Sequence, residues 1–229
     1  MNIAVVIPAA GIGQRMQADR PKQYLKLAGK TILEHTVSRL LEIPQLCNIW
    51  LALANDDPYF GQTSLPTLSQ IHRVLGGSER ANSVLNALQV IDAKLFPWVL
   101  VHDAARPLVQ RIDIENLIQH CLTQQCGGIL ATPVRDTMKR GDSALPLARV
   151  DHTVARQQLW HALTPQFFPT ALLRDCLVQA LAAGASITDE ASALEWAGQS
   201  VLLVPGRADN IKITQPEDLA LARFYLEQQ

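Results

Sequence analysis

The sequence is poor in aromatic residues, 5% of its 229 positions, and in cysteine, of which it has four. Cys47, Cys121, Cys126 and Cys176 are scattered through mostly apolar segments, and no second Cys/His pair follows Cys121 and Cys126 to complete a zinc set. This excludes a disulfide scaffold and predicts reduced thiols in a cytoplasmic compartment. Neither sign of charge dominates, with 20 Lys and Arg against 21 Asp and Glu. The missing basic stripe argues against nucleic acid as a partner. No apolar run is long enough for a membrane span, and no basic segment followed by a hydrophobic one marks a signal peptide. Internal repeats, low-complexity tracts and a linker are absent too. Two phosphate-loop signatures also fail. No Gly-x-x-x-x-Gly-Lys-Ser/Thr run occurs, and Met16 stands where the dinucleotide fingerprint needs its third small residue. Nor is there a Ser-His-Asp or Cys-His arrangement at convincing spacing.

What is present is a 48% hydrophobic composition, ample for one α/β core without disulfides. Apolar strand-like runs recur at 3–7, 48–54, 71–75, 98–102, 128–132 and 200–204. Helix-like patterns fall at 32–43, 80–91, 111–125, 169–183, 189–197 and 216–227. This alternation predicts a mainly parallel sheet with helices on both faces. Residues 134–156 break the rhythm, with two extended arms flanking Gly141-Asp142-Ser143. They predict a projecting β-arm, and because a lone two-stranded ribbon is marginal in water, a second copy of the chain is its simplest support.

The most informative stretch follows the first strand: Pro8-Ala-Ala-Gly-Ile-Gly-Gln-Arg-Met16, then Lys22-Gln-Tyr24. Small residues at Ala9, Ala10, Gly11 and Gly13 let backbone N–H groups approach an anion closely, and Arg15 and Lys22 bring cations to the same loop. Between Ala9 and Lys30 five Lys and Arg stand against Asp19 alone, a local charge of +4. The loop is long, since the next helix begins near Thr31, whose Thr31-x-x-Glu34 spacing forms a capping box. Its place at the carboxyl end of a buried strand is where open α/β sheets bind ligands.

Three further groups of residues join it. Val99-Leu-Val-His-Asp103-Ala-Ala-Arg106-Pro brings a carboxylate and a guanidinium to a strand end. Asp103 reads either as a ligand for Mg²⁺, which takes one or two carboxylates plus phosphate oxygens, or as a cap; His102 reads as structural. Gly76-Gly77-Ser78 with Ser83 is a strand-to-helix turn able to grip a base or ribose. Later come Arg156, Thr164-Pro-Gln166, Thr188-Asp189-Glu190, and Gly206-Arg-Ala-Asp209-Asn-Ile-Lys212. Asp209 reads either as a second metal ligand or as a structural residue of its turn, and Lys212 as a third phosphate cation. Thr188 or Asp189 caps one helix, and Thr214 with Glu217 caps the last. Such an inventory suits transfer of a nucleotidyl group, where the acceptor brings its own phosphate nucleophile and the protein supplies position and charge.

Taken together, Pro8–Met16, Pro21–Tyr24, Gly76-Gly77 with Arg80 and Ser83, Val101–Pro107, Thr164–Gln166, Ile187–Glu190 and Gly206–Lys212 resemble the 2-C-methyl-D-erythritol 4-phosphate cytidylyltransferase family across nearly the whole chain. The resemblance implies a Rossmann-like nucleotidyltransferase sheet in one domain, 1–229, with an arm at about 134–156 that clasps a homodimer. It implies transfer of CMP from CTP to methylerythritol phosphate with Mg²⁺, the alternative acceptor being another polyol phosphate such as ribitol 5-phosphate. By the same correspondence Ala9, Ala10, Gly11, Ile12, Gly13, Lys22, Gly77, Ser78 and Ser83 hold the nucleotide. Arg15 and Lys22 stabilise the transition state. Arg106, Thr164, Thr188 and Lys212 surround the sugar phosphate, Asp103 binds the metal, and Thr137 and Arg156 reach a neighbouring subunit's site. Ser78 departs from the acidic residue common at its place in the family.

Overall fold

The computed structural model describes residues 1–11, 13, 16, 18–46, 48–142 and 147–228. The chain opens with strand β1 (Ile3–Pro8), followed after the glycine-rich loop by a small hairpin of β2 (Lys26–Leu27) and β3 (Lys30–Thr31) and then helix α1 (Ile32–Leu41). Strands β4 (Asn48–Leu53) and β5 (Ile71–Leu75) lead to α2 (Arg80–Val90), β6 (Trp98–Val101), α3 (Arg111–Gln124) and β7 (Gly128–Pro133). The arm is β8 (Met138–Gly141) with β9 (Val150–Val154). It is followed by β10 (Trp160–Pro169), α4 (Thr170–Ala182), α5 (Glu190–Trp196), β11 (Leu202–Pro205) and α6 (Pro216–Glu227). Among the described residues, no helix is long and apolar enough to cross a membrane.

Seven strands form one sheet in the order β11-β7-β10-β6-β1-β4-β5. All run parallel except β10, which lies antiparallel between β6 and β7. The central strand shows why the sheet is covered on both faces. Side chains alternate along a strand, and both sets of β1 are apolar. Ile3, Val5 and Ile7 pack with Leu33, Val37 and Leu40 of α1 and Ile114 and Leu117 of α3. Ala4 and Val6 pack with Val84 and Leu88 of α2 and with Leu173 and Leu177 of α4. A third cluster, around Leu27, Ile32, Leu108 and Ile213, seats α6 beside the end of the first loop.

The six strand runs and six helices read from the sequence are found at those places. Strand β10 was not among them. It carries Pro165 within its length, where the ladder to β7 slips between Ala162 and Gln166, and proline is confined to such irregular places in a sheet. What marks it as core is Phe167 and Phe168, both fully buried and turned to opposite faces. The long stretch between β1 and α1 contains β2, β3 and a short turn of 3-10 helix at Lys22–Tyr24. The arm closes more widely than a tight turn at 141–143. Asp142 N–H donates to the Arg149 carbonyl at 3.0 Å, and Arg149 N–H returns a bond to the Asp142 carboxylate at 2.9 Å. The last helix is capped one residue later than the Thr214–Glu217 spacing predicts. Gln215 is its N-cap, and Asp218 accepts from Thr214 N–H, the Thr214 hydroxyl and Gln215 N–H.

The capping box of α1 is formed as its spacing predicts and does more than cap. Glu34 accepts from Thr31 N–H and its hydroxyl at 2.7 Å each, while its other oxygen accepts from Ser64 N–H and hydroxyl at 3.0 and 2.9 Å. Burial alone would raise this carboxyl, but the Ser64 and Thr31 donors outweigh it and lower its pKa to about 2. A depressed acid contributes stability above its unfolded pKa, and that contribution is lost as pH falls through the folded value. Wild type should therefore lose its advantage over Glu34→Gln as pH falls from about 4.5 toward 2, measured by urea unfolding of both. Parallel stability curves would show that Glu34 contributes no such term.

Candidate active site

In sheets of this type ligands sit outside the carboxyl ends of the strands where the strand order reverses. Here that point lies between β1 and β6, because the chain builds outward from β1 to β4 and β5 on one side and to β6 on the other. A cavity of about 260 Å³ occupies it. Its walls are the first loop (Ala9, Ala10, Gly11, Gly13, Lys22, Gln23), the turn before α2 (Gly77, Ser78, Glu79, Arg80, Ser83), the end of β6 (Asp103, Ala104, Ala105) and Lys212.

Local bonds fix each wall. The buried Gln23 amide donates to the carbonyls of Ala9 at 2.7 Å and Gly11 at 3.2 Å, bracing the glycine-rich loop from behind. Gly13 has φ +64°, the left-handed region that favours glycine, and a Cβ there would stand 2.9 Å from Cγ of Lys22. Lys22 Nζ donates to the Ile213 carbonyl at 2.8 Å. On the opposite wall, a Cβ on Gly76 would stand 2.4 Å from that of Ala10, so only glycine lets the two loops close. Ser83 shapes the same turn: its hydroxyl accepts from Gly77 N–H at 2.9 Å and donates to the Glu79 carbonyl at 3.1 Å. Ser78 is exposed at the rim, its hydroxyl 3.2 Å from Oδ1 of Asn82.

A second cavity, of about 240 Å³, adjoins the first. Arg106, Ala162, Leu163, Thr164, Gln166, Thr188 and Asp189 line it, and it shares Arg80, Asp103 and Lys212 with the first. The register of β10 explains the junction. Gln166 lies opposite Val101, so Thr164 falls beside Asp103 just beyond the end of β6.

Asp103 is the centre of this shared wall. Its carboxylate meets Arg80 Nε at 3.1 Å on one oxygen, and Lys212 Nζ at 2.9 Å and Arg106 Nε at 3.4 Å on the other. Burial would raise it, but Arg80, Lys212 and Arg106 together hold it well below the usual carboxylate range. Its backbone is pinned as well. Asp103 N–H donates to the Thr164 hydroxyl at 3.0 Å, which leaves the Thr164 proton for Nδ1 of His102 at 2.9 Å. Nε2 of His102 then donates to the Arg106 carbonyl at 3.0 Å. This fixes a neutral imidazole, and burial pushes the His102 pKa down to about 4. His102 is structural, as its sequence context suggested.

Of the positions named from the sequence, Ala9, Ala10, Gly11, Gly13, Lys22, Gly77, Ser78, Ser83 and Asp103 come together in the first cavity, and Arg106, Thr164, Thr188 and Lys212 meet at the second. Ile12 and Arg15 lie outside the described residues. The structure does not bring Thr137 or Arg156 to either cavity. Both are exposed at the base of the arm, where Arg156 donates to the Arg135 carbonyl. Asp209 is not part of either wall; Arg207 engages it at 2.6 and 3.0 Å. Among the described residues no group of three or more His, Cys, Asp or Glu could hold a metal, so the chain builds no metal cage there. A single ionised carboxylate opening on both cavities fits an ion such as Mg²⁺, which takes its remaining ligands from phosphate and water.

Sequence reasoning assigned no role to Gln23, Arg80 or Glu190. Arg80 joins Asp103 to Glu190, whose carboxylate takes both guanidinium ends at 2.7 and 2.9 Å. The available signal was a cation at the first position of α2, where the helix dipole is unfavourable to positive charge and an acidic partner from elsewhere is therefore needed.

Comparison with known proteins agrees with this geometry. The family model described as IspD, 2-C-methyl-D-erythritol 4-phosphate cytidylyltransferase, matches residues 3–228. The curated 2-C-methyl-D-erythritol 4-phosphate cytidylyltransferase of Vibrio atlanticus is 57% identical over 99% of this chain and 96% of its own length. That of Vibrio cholerae is 58% identical over 98% of this chain and 96% of its own. Among solved structures, the Francisella tularensis enzyme of the same name superimposes with a TM-score of 0.83 at 37% identity, covering 98% of this chain and 100% of that one. On the match of motif, fold and full length, this chain belongs to the 2-C-methyl-D-erythritol 4-phosphate cytidylyltransferase family.

Proposed function

We propose that this chain transfers the CMP group of CTP to 2-C-methyl-D-erythritol 4-phosphate, giving 4-diphosphocytidyl-2-C-methyl-D-erythritol and pyrophosphate in the synthesis of isoprenoid precursors. The observation that carries this reading is the pair of adjoining cavities with a common cationic wall of Arg80, Asp103 and Lys212. One cavity has the glycine-rich loop and Lys22 for a triphosphate; the other has Arg106, Thr164 and Thr188 for a phosphorylated polyol.

The reaction needs little beyond placement and charge. An oxygen of the acceptor phosphate attacks the α-phosphorus of CTP. As that bond forms, the bond from the α-phosphorus to the bridging oxygen breaks, and its electron pair leaves with pyrophosphate. No proton has to be removed from the nucleophile, which agrees with two cavities that no histidine lines among the described residues, the nearby His102 being buried and neutral. Loop residues Ala9 to Gly13, with Gly77, Ser78 and Ser83, hold the nucleotide. Lys22 and Arg15 balance the charge that grows on the α-phosphate, the kind of preorganised stabilisation that dominates many barriers. Lys212, at the common wall, aligns the two phosphates, and Arg106 and Thr188 orient the acceptor. Asp103 is the residue that would hold Mg²⁺ together with phosphate oxygens, the ion there serving to neutralise phosphate charge. Asp209, engaged by Arg207, fixes the turn that presents Lys212.

We read residues 1–229 as one domain that works as a homodimer. Thr137 and Arg156, exposed at the arm's base and absent from the walls of their own subunit's cavities, would complete the acceptor site of the partner. A two-stranded ribbon is marginal alone, which supports a clasp rather than a free hairpin. Scattered cysteines support a reducing, cytoplasmic compartment.

Pyrophosphate release with CTP, Mg²⁺ and either methylerythritol phosphate or ribitol 5-phosphate tests the assignment. Release with the first acceptor alone is expected, and release only with ribitol 5-phosphate would overturn the acceptor. Lys22→Ala and Arg15→Ala should each lower turnover about 10²–10³-fold while thermal unfolding stays near wild type; near-normal turnover in both would remove their catalytic roles. Deleting 138–150 should give a folded monomer with weak activity by gel filtration and assay, whereas a fully active monomer would exclude the clasp.

A further inference from the structure

Glu190 is the least explained charge in the molecule. It is 1% exposed, lines neither cavity, and lies 110 positions from the arginine it binds. Removing a carboxylate from water is costly unless it is paired in good geometry, so a charge buried this deeply needs a reason. The Arg80 fork supplies the pairing, through both Nη atoms, while Arg80 Nε reaches Asp103 at 3.1 Å. A guanidinium has five N–H donors. Three are used in this bridge, one on each guanidinium nitrogen, so the fork faces the protein although Arg80 lines both cavities.

The anchor is itself held from several sides. Glu190 is the first residue of α5. Just before it, Asp189 caps the helix by accepting from Ser192 N–H at 3.0 Å. Just after it, Ala191 N–H donates to Oε1 of Gln166 at 3.0 Å, and the Gln166 amide donates to Asp189 at 2.8 Å. Gln166, Thr188 and Asp189 are walls of the second cavity, whereas Arg80 starts the helix that follows the nucleotide-side turn Gly76-Gly77-Ser78. The Glu190–Arg80 pair therefore ties the acceptor-side segment to the nucleotide-side helix, with Asp103 at the knot. Without Glu190, the Arg80 fork is free to turn onto a bound triphosphate, and Asp103 loses the partner on one of its oxygens.

We propose that Glu190 is a positioning residue for the transfer reaction: acting through Arg80, it fixes the carboxylate of Asp103 between the two cavities and keeps the Arg80 fork off the triphosphate. This rests on the reaction and the Asp103 role proposed above.

The test compares wild type with Glu190→Gln, which keeps the shape and removes the charge, in two readouts: turnover by pyrophosphate release, and CTP affinity by titration calorimetry with and without Mg²⁺. A misplaced group at a reacting centre costs about 10²-fold, and that loss of kcat is expected with CTP still binding. The gain in CTP affinity on adding Mg²⁺ should shrink about 10-fold or more, as in Asp103→Asn. Combining the two substitutions should add little further, because both act on one carboxylate. A merely structural Glu190 would lower the melting temperature and leave kcat and the Mg²⁺ gain of the folded protein at wild-type values, and that result, or full additivity in the double variant, would overturn the proposal. Should Glu190→Gln fail to fold, Arg80→Lys, which keeps the charge and breaks the fork, is expected to give the same two effects. Wild type that releases no pyrophosphate would sink the reaction assigned above, and the calorimetric gain would then decide the role of Glu190 by itself.

Discussion

A buried carboxylate held by three cations is the constraint on which the rest of this molecule depends. Asp103 sits at the end of β6 with Arg80, Arg106 and Lys212 around it. Those cations come from the start of α2, the turn after β6 and the segment before α6. One carboxylate thus draws together three parts of the chain that the sheet alone would leave as separate loops. An assembly of this kind is weak evidence for stability, since desolvation offsets most of what the pairing returns. Its evident use is geometric. It sets cations at fixed places on a wall that two anionic ligands can face from opposite sides.

The apolar core makes this possible by placing the strand ends rather than by contributing to the site. β1 and β6 are buried on both faces, so their carboxyl ends lie side by side at the point where the strand order reverses. The reversed strand β10 then supplies what a wholly parallel sheet would lack at this edge, a neighbour that starts beyond the end of β6 and brings Thr164 and Gln166 to it. Thr164 spends its hydroxyl within the protein, between Asp103 N–H and a neutral His102. Its contribution to the second cavity is accordingly the shape of that wall together with the fixed position of Asp103. Around the shared wall the cations Arg80, Arg106 and Lys212 outnumber the acids they pair with, Asp103 and Glu190, which suits the charge of incoming phosphates.

Much of this was legible in the sequence, for local reasons. Parallel strands buried on both faces read as continuous apolar runs, and helices carry their caps with them, as Thr31 and Glu34 do. Loops at strand ends announce phosphate chemistry by glycine and cation content, which is why Gly11, Gly13, Lys22, Gly77 and Asp103 could be named together. What remained hidden depends on contacts distant in sequence. β10 carries a proline and no alternation, and its burial follows from neighbours on both sides rather than from its own pattern. Gln23 and Glu190 act on partners that no spacing rule connects to them. Asp209 read as either a metal ligand or a structural turn residue, and no spacing rule decided between them; in the fold the arginine two positions earlier engages its carboxylate. At the last helix the sequence offered Thr214 and Glu217 for a cap, whereas Gln215 and Asp218 form one with the same spacing a residue further on.

The central claim is that two ligands meet across the wall of Arg80, Asp103 and Lys212. A crystal structure of the protein with CTP tests it most directly. The account predicts the triphosphate along the loop from Ala9 to Gly13, with its α-phosphate at that wall and the Arg106 and Thr188 side left open. A triphosphate lying instead against Arg106 and Thr188, with the glycine-rich loop unused, would contradict it.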